Sequence, residues 1–315
     1  MTNCKQIHCL SLQIEGLRSA ILFGTALSGV SLWSAPAFAQ NACPSKIEQN
    51  TPSCTNINSL DEIVVSSGTL GTLTNSGGGE IGSVNTTIAT TIGTLANNAG
   101  SVIGSSAYAI AVANQGTIGT LINNSNGVIG SASNSYGIRN TKLNGSDPTA
   151  TINEIINNGI IEVGTTDINP AYSISNEYGE IGTIINNGGI ESSGNGMNTD
   201  SGIYNIGGSI GTIINNGSIE SSGMGGNTAY GIYNAYHALS SNTGNKIGTI
   251  TNSGTIKVNY SGASYAGTSS IYNEGTIKEI NNSGTLEATN SNATYTDSNL
   301  AYGIDNRIHD RKDNE

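Results

Sequence analysis

Residues Ile181–Asn205 read IGTIINNGGIESSGNGMNTDSGIYN, and Ile210–Asn234 read IGTIINNGSIESSGMGGNTAYGIYN. Twenty of the twenty-five positions are identical at a shift of 29 residues. Self-similarity at a fixed period of this size marks a repeat architecture, in which no unit can bury its apolar face alone. A shorter motif runs inside the repeat: an aliphatic residue, Asn two later, Gly four later and an aliphatic residue six later. It is complete at Val112, Ile155, Ile184, Ile213, Ile250, Ile271 and Ile280. Its first half, aliphatic-x-Asn, recurs at Leu73, Leu95, Leu121, Ile138, Ile174, Ile203, Ile232 and Ile304. From Ile174 on, the motifs mostly alternate between short and long gaps, ten residues from Ile174 to Ile184 and nineteen from Ile184 to Ile203.

Period-two spacing places Ile184 and Ile190 on the same side of an extended ribbon. Asn and Gly between them mark a bend, since both tolerate positive φ. The expectation is an all-β chain, a right-handed parallel β-helix of about 29-residue repeats, with coils stacked about 4.8 Å apart over an aliphatic column. Stacked corners bring equivalent Asn side chains into register, and each amide can then donate to the next. The expected ladder comprises Asn114, Asn157, Asn186, Asn215, Asn252, Asn273 and Asn282, with a surface turn residue as the competing role. Thr72, Thr94, Thr120, Thr183, Thr212 and Thr249 recur in GTL or GTI and suit an outward row. Tyr136, Tyr172, Tyr230 and Tyr302 precede the second strand type, and Tyr204, Tyr233 and Tyr272 follow its aliphatic position. Either set can pack at a corner, or form an exposed strip that stacks on sugars or another protein.

Composition agrees with a turn-rich β fold. Gly supplies 43 of 315 residues and Asn 42, whereas Pro supplies 5 and charged residues only 10%. Collagen would need a strict Gly period with much Pro, and charge-driven disorder a far higher charge density. The net charge of −11 and its eleven scattered basic residues argue against a nucleic-acid partner.

The first 39 residues differ from the rest. Lys5 and Arg18 precede an apolar run from Ala20 to Trp33, and Ala37 and Ala39 suit a signal peptidase. Cleavage after Ala39 leaves a chain whose thirteen aromatics are all Tyr and whose cysteines are Cys43 and Cys54. In an exported chain these two are expected to form a disulfide. Such a small ring contributes about 2–3 kcal/mol by loop closure. The expected organisation is a signal peptide at 1–39, an N-terminal cap at 40–62, the solenoid at 63–304 and a charged tail at 305–315.

An export signal, a short cap and repeated IGTIxNNGxI and YGIxN units together resemble the passenger segment of a bacterial autotransporter, the type V secretion family. The resemblance covers roughly residues 1–304. It implies a β-helix displayed at the outer surface of a Gram-negative cell and serving adhesion or aggregation. The partners it implies are a host-surface protein or glycan, or self-association. Members of that family end in an outer-membrane barrel of alternating strands with aromatic girdles. No such pattern is seen here, so membrane attachment is expected only through a barrel this sequence lacks. Surface display is expected as part of an intact autotransporter, and a periplasmic or secreted product otherwise. A truncated passenger without function of its own is the alternative.

The chemical motifs are weak. Gly207–Gly211 matches G-x-S-x-G, but Ser209 holds a repeat position that elsewhere carries Glu180 or Lys246. Gly77–Gly82 matches G-x-G-x-x-G without a βαβ context. No catalytic, metal or cofactor residue is expected. The rival enzyme reading is a secreted β-helical carbohydrate-active enzyme. It rests on Glu191 and Glu220, equivalent positions one repeat apart that stacking would bring to a glycosidase-like separation.

Overall fold

The computed structural model describes residues 42–165, 169–195, 198–224, 228–236, 245–261, 267–291 and 300–307. The export-signal segment 1–39 lies outside them, as do His237, His309 and residues 308–315 of the tail. The described residues of the body Asn41–Glu315 form a right-handed parallel β-helix whose paired strands all run parallel. A nine-stranded sheet runs from Thr51–Asn56 to Thr276–Asn282. A second sheet of seventeen strands wraps the other side.

One 29-residue repeat is one coil. Asn186 stacks on Asn157 and Asn215 on Asn186, each 29 residues apart. The ten- and nineteen-residue gaps are the two arcs joining the sheets. Earlier coils are shorter, with ladder separations of 19, 22 and 26 residues. In the second coil the second sheet holds one continuous strand, Glu80–Thr86. Its successors are broken in two, as in Val102–Ile103 with Ile110–Asn114 and Gly189–Gly194 with Asp200–Ile206. Coils lengthen at two places: at this corner, and where the second sheet returns to the nine-stranded one, a connection of two residues between Asp200–Ile206 and Ser209–Asn215 but nine between Tyr136–Thr141 and Thr151–Asn157 and ten between Ala229–Ala235 and Lys246–Asn252.

Four aliphatic columns fill the interior. Two lie on the nine-stranded sheet, for example Ile181–Ile210–Ile247 and Ile184–Ile213–Ile250. Two lie on the other, for example Ile190–Ile219–Ile256 and Ile203–Ile232–Ile271. These side chains are at most 1% exposed, and each fully buried one is worth about 1.5–3 kcal/mol. The Thr row is in register and half-buried on the outer face, interrupted by Glu154 between Thr120 and Thr183.

The amide ladder is double, which corrects the single set expected above. One ladder runs Asn56–Asn75–Asn97–Asn123–Asn157–Asn186–Asn215–Asn252–Asn282, each Nδ2 donating to the next Oδ1 at 2.7–2.9 Å. The other runs Asn114–Asn140–Asn176–Asn205–Asn234–Asn273–Asn306 at 2.6–2.8 Å. Asn114 and Asn273 therefore belong to a different column from Asn157, Asn186, Asn215, Asn252 and Asn282. Each coil turns inward at the end of the nine-stranded sheet and again before re-entering it. Both turns need a side chain that satisfies buried carbonyls. Asn186 does this by also donating to Ser218 O at 2.8 Å.

The glycines two residues after Asn186, Asn215, Asn252 and Asn282 act by close approach rather than by positive φ. Gly188, Gly217, Gly254 and Gly284 are absent from the left-handed region. A Cβ on each would lie 2.0–2.1 Å from the carbonyl oxygen of the equivalent glycine one coil earlier. Only a residue without Cβ lets successive turns stack at coil spacing.

The stacked strands start earlier than the expected boundary at residue 63. Thr51–Asn56 already pairs with Thr69–Asn75, and Lys46–Ile47 with Val64–Val65. Cys54 occupies the aliphatic position of the first aliphatic-x-Asn unit, stacked on Leu73, where a buried sulfur behaves as a small hydrophobe. Cys43 and Cys54 are joined in a disulfide, Cα–Cα 4.8 Å.

Two stability predictions follow from these contacts. Asn186→Ala and Asn215→Ala should each cost about 1–3 kcal/mol, the penalty for leaving buried partners unmet. Asn187→Ala, whose amide bonds Asn158 at the exposed turn, should cost much less; equal losses in chemical denaturation would leave the ladder no special role. Reducing Cys43–Cys54 should lower stability by about 2–3 kcal/mol. Hydrogen exchange should then rise first in Thr51–Asn56, and uniform exchange along the helix would contradict a capping role.

Candidate functional site

The inserted corner and the strands beside it carry the surface chemistry. Two side-chain columns flank it on the seventeen-stranded sheet, one of tyrosines and one of carboxylates.

Tyr136, Tyr172, Ser201, Tyr230, Ser269 and Tyr302 share one register column. Tyr204, Tyr233 and Tyr272 form a second, three residues further along each strand. The columns interlock. Tyr172 stacks on Tyr204 with centroids 4.3 Å apart and planes 11° apart, and Tyr230 on Tyr272 at 4.5 Å and 9°. Where the first column has Ser201 or Ser269, the ring from the second fills the space. Tyr136–Tyr172, Tyr204–Tyr233 and Tyr233–Tyr272 contacts of 5.2–5.8 Å link the rest. Arg139 lies over Tyr136 at 4.9 Å and Arg307 over Tyr272 at 5.3 Å, so cations flank the array. Arg139 also pairs with Glu177 at 2.6 Å.

Of the two roles open to Tyr136, Tyr172, Tyr230 and Tyr302, packing beside the corner describes Tyr172 and Tyr230. Tyr172 and Tyr230 are only 8% and 7% exposed, covered by the neighbouring rings, while Tyr136 and Tyr302 are half-buried. Burial raises the phenol pKa of Tyr172, Tyr204 and Tyr233, and nearby Glu274 or Glu177 pushes them the same way. The half-buried rings of Tyr204 and Tyr233 offer the array's solvent-facing surface. Glu274 holds the Tyr233 and Tyr272 hydroxyls at 2.9 and 3.0 Å.

On the other side of the corner, Glu162, Glu191, Glu220, Lys257 and Glu287 stack in register. A groove of about 220 Å³ runs along Glu162, Glu191 and Glu220, lined also by Ser192, Ser193, Ser221 and Ser222. Burial raises the Glu191 carboxyl pKa, reinforced by Glu220 and Glu162 on either side. Lys257 ends the like-charge run and pairs with Glu287 at 3.5 Å. Among the described residues no three His, Cys, Asp or Glu side chains converge as a metal site.

Asp200 was not singled out from the sequence. It stands at the corner, 3% exposed, and accepts the Ala171 N–H at 3.0 Å. Burial lifts its carboxyl from 3.8 to about 7, against the smaller lowering by that hydrogen bond. Gly194 leaves room for it, since a Cβ there would lie 2.3 Å from Asp200 Oδ1 and the carboxyl would have to shift. The one signal was the mismatch with Ala229, its equivalent in an otherwise near-identical repeat.

Comparison with protein-family models, with curated protein sequences and with solved structures finds no match.

Asp200 makes stability depend on pH. Its folded pKa exceeds the unfolded value, so between about 3.8 and 7 the native state holds the extra proton. Stability is therefore expected to fall as pH rises through that window, by on the order of 1–4 kcal/mol from this group. Glu191 acts in the same direction. Asp200→Asn should flatten the dependence and raise the melting temperature at pH 8; an unchanged profile would show that Asp200 titrates normally.

Proposed function

We propose that this chain is a non-enzymatic, exported passenger of autotransporter type, an adhesive or aggregating stalk. The observation that carries the proposal is the uninterrupted stacking of coils in register, with insertions confined to the turns between strands. Such a rod presents the same kind of contact once per coil, about 4.8 Å apart. Weak contacts repeated in this way add through effective concentration rather than through one deep site. The tyrosines beside the corner suit this use. Their rings are fixed by stacking, so binding a sugar face or an apolar side chain costs little side-chain entropy. The export-signal features of residues 1–39 and the resemblance to type V passengers support surface delivery. The partner is a host-surface protein or glycan, or another cell bearing the same chain.

The carboxylate groove gives the enzyme reading its one specific support, the raised Glu191 beside Glu220. Incubation with several polysaccharides tests it by release of reducing ends, which Glu191→Gln would have to abolish.

Cells displaying the protein are expected to settle faster and attach better to glycan-coated or cell-coated surfaces than cells carrying an empty display vector. The double variant Tyr204→Ala/Tyr233→Ala should weaken attachment severalfold while remaining folded by circular dichroism. Attachment no different from the empty vector would defeat the adhesive reading.

A further inference from the structure

Glu274 follows directly on the strand Thr268–Asn273, where the chain leaves the second sheet. Its carboxyl group accepts two phenol hydroxyls, that of Tyr233 on Oε2 at 2.9 Å and that of Tyr272 on Oε1 at 3.0 Å. The Tyr236 N–H also donates to Oε2, at 3.1 Å, and helps to fix the group. Glu177 holds the equivalent position three coils earlier, but there Arg139 and the Ser175 hydroxyl engage the carboxyl.

Tyr233 and Tyr272 come from successive coils, in register and with ring centroids 5.2 Å apart. The shared carboxyl draws their hydroxyl ends together, and with them the ring carbons ortho to each hydroxyl. Tyr230 stacks on Tyr272 and lies 4.8 Å from Tyr233, which holds both rings in place. Tyr272 is 6% exposed, whereas Tyr233 is half-buried and reaches solvent.

This constellation favours loss of single electrons. Residues 41–315 contain no Trp, and their two cysteines are joined, so phenols are the groups from which one electron is most readily taken. A phenol with its ordinary pKa of about 10 keeps its proton at neutral pH. Burial and the neighbouring Glu274 raise Tyr233 and Tyr272 further. Removing an electron from such a ring therefore needs a base to take the proton, and a group already at hydrogen-bond distance serves best.

We propose that Tyr233, Tyr272 and Glu274 form an oxidative cross-linking site, at which two equivalents of a one-electron oxidant join the two rings as dityrosine. Tyr233 gives the first electron to the oxidant and its hydroxyl proton to Glu274, which passes the proton to water. Tyr272 gives the second electron through the ring contact, and its proton leaves by the same carboxyl. The two phenoxyl radicals form one bond between their ortho carbons. The hydrogen on each of those carbons then moves to oxygen and restores both phenols. In sum, two electrons go to the oxidant and two protons to water. The product ties one coil to the next, between residues 39 apart in sequence. The inference is independent of the adhesive reading, because it concerns the reactivity of fixed rings and not what they bind.

The test irradiates the full chain, dilute enough to suppress links between molecules, with tris(bipyridine)ruthenium(II) and persulfate. Persulfate takes the two electrons and leaves as two sulfates. Dityrosine is read by its fluorescence and by mass spectrometry of tryptic peptides. The main product is expected to join Leu143–Lys246 to Val258–Lys278, with the link at Tyr233 and Tyr272. Tyr272→Phe should abolish it. Glu274→Gln retains an acceptor for a hydroxyl but takes no proton, so it should lower the yield severalfold. Imidazole added as a small soluble base should restore part of that yield, which a purely structural role of Glu274 would not allow. Links chiefly at other tyrosine pairs, a yield unchanged in Glu274→Gln, or a loss that imidazole leaves unrestored would each overturn the proposal.

Discussion

Everything in this molecule depends on successive coils meeting at strand spacing with their interior groups in register. The inward asparagines show what that constraint demands. A carboxamide is an expensive group to bury, because an unmet donor or acceptor costs about 1–3 kcal/mol. Stacking turns the liability into a repeating bond, since each amide offers one donor and one acceptor to its neighbours along the axis. The same amide also holds the carbonyls of its own turn or the next. Aliphatic columns supply the larger share of the burial energy, but they are tolerant of slippage by a small offset. The ladders are not, and they fix which residue of one coil lies over which residue of the next.

The glycines answer the same constraint. With turns at coil spacing, the carbonyl of one turn lies where the next turn's Cβ would be. Asn and Gly are thus abundant for different reasons. Asn satisfies the inside of the corner, and Gly permits the outside to approach. This division also explains how the chain tolerates insertions. Residues added at the corner within the second sheet, or where that sheet returns to the nine-stranded one, leave both ladders and all four aliphatic columns intact, so ladder separations range from 19 to 39 residues without loss of register. Sequence variation accumulates there, and so does the chemistry available for recognition.

The tyrosine array and the carboxylate column show a repeat fold concentrating like groups by its own regularity. Equivalent residues one repeat apart become neighbours in space. Rings profit from this, because offset stacking is favourable. Carboxylates do not, and the raised Glu191 pKa records the repulsion. Lys257 ends that run by placing a cation in the same column. Ser201 and Ser269 serve an analogous purpose among the tyrosines, leaving room for rings from the adjacent column.

The sequence by itself determined the fold class, the repeat length and the identity of the stacked positions, because a 29-residue period with aliphatic-x-Asn spacing has few other physical solutions; that one repeat makes one coil was decided by the stacking. The cysteine that starts the first coil was hidden, since Cys54 stands where every later unit carries an aliphatic residue. What only the tertiary structure decided was partition and depth. Two ladders share one local motif, and the motif alone does not say which sheet an Asn ends. Tyr172 and Tyr230 look like surface residues until the rings of Tyr204 and Tyr272 are placed over them. Asp200 differs from its repeat equivalent by one unremarkable letter, and only burial beside Gly194 makes its carboxyl unusual. Periodicity specifies which residues align between coils, whereas exposure depends on what the neighbouring coil and the inserted corner lay across them.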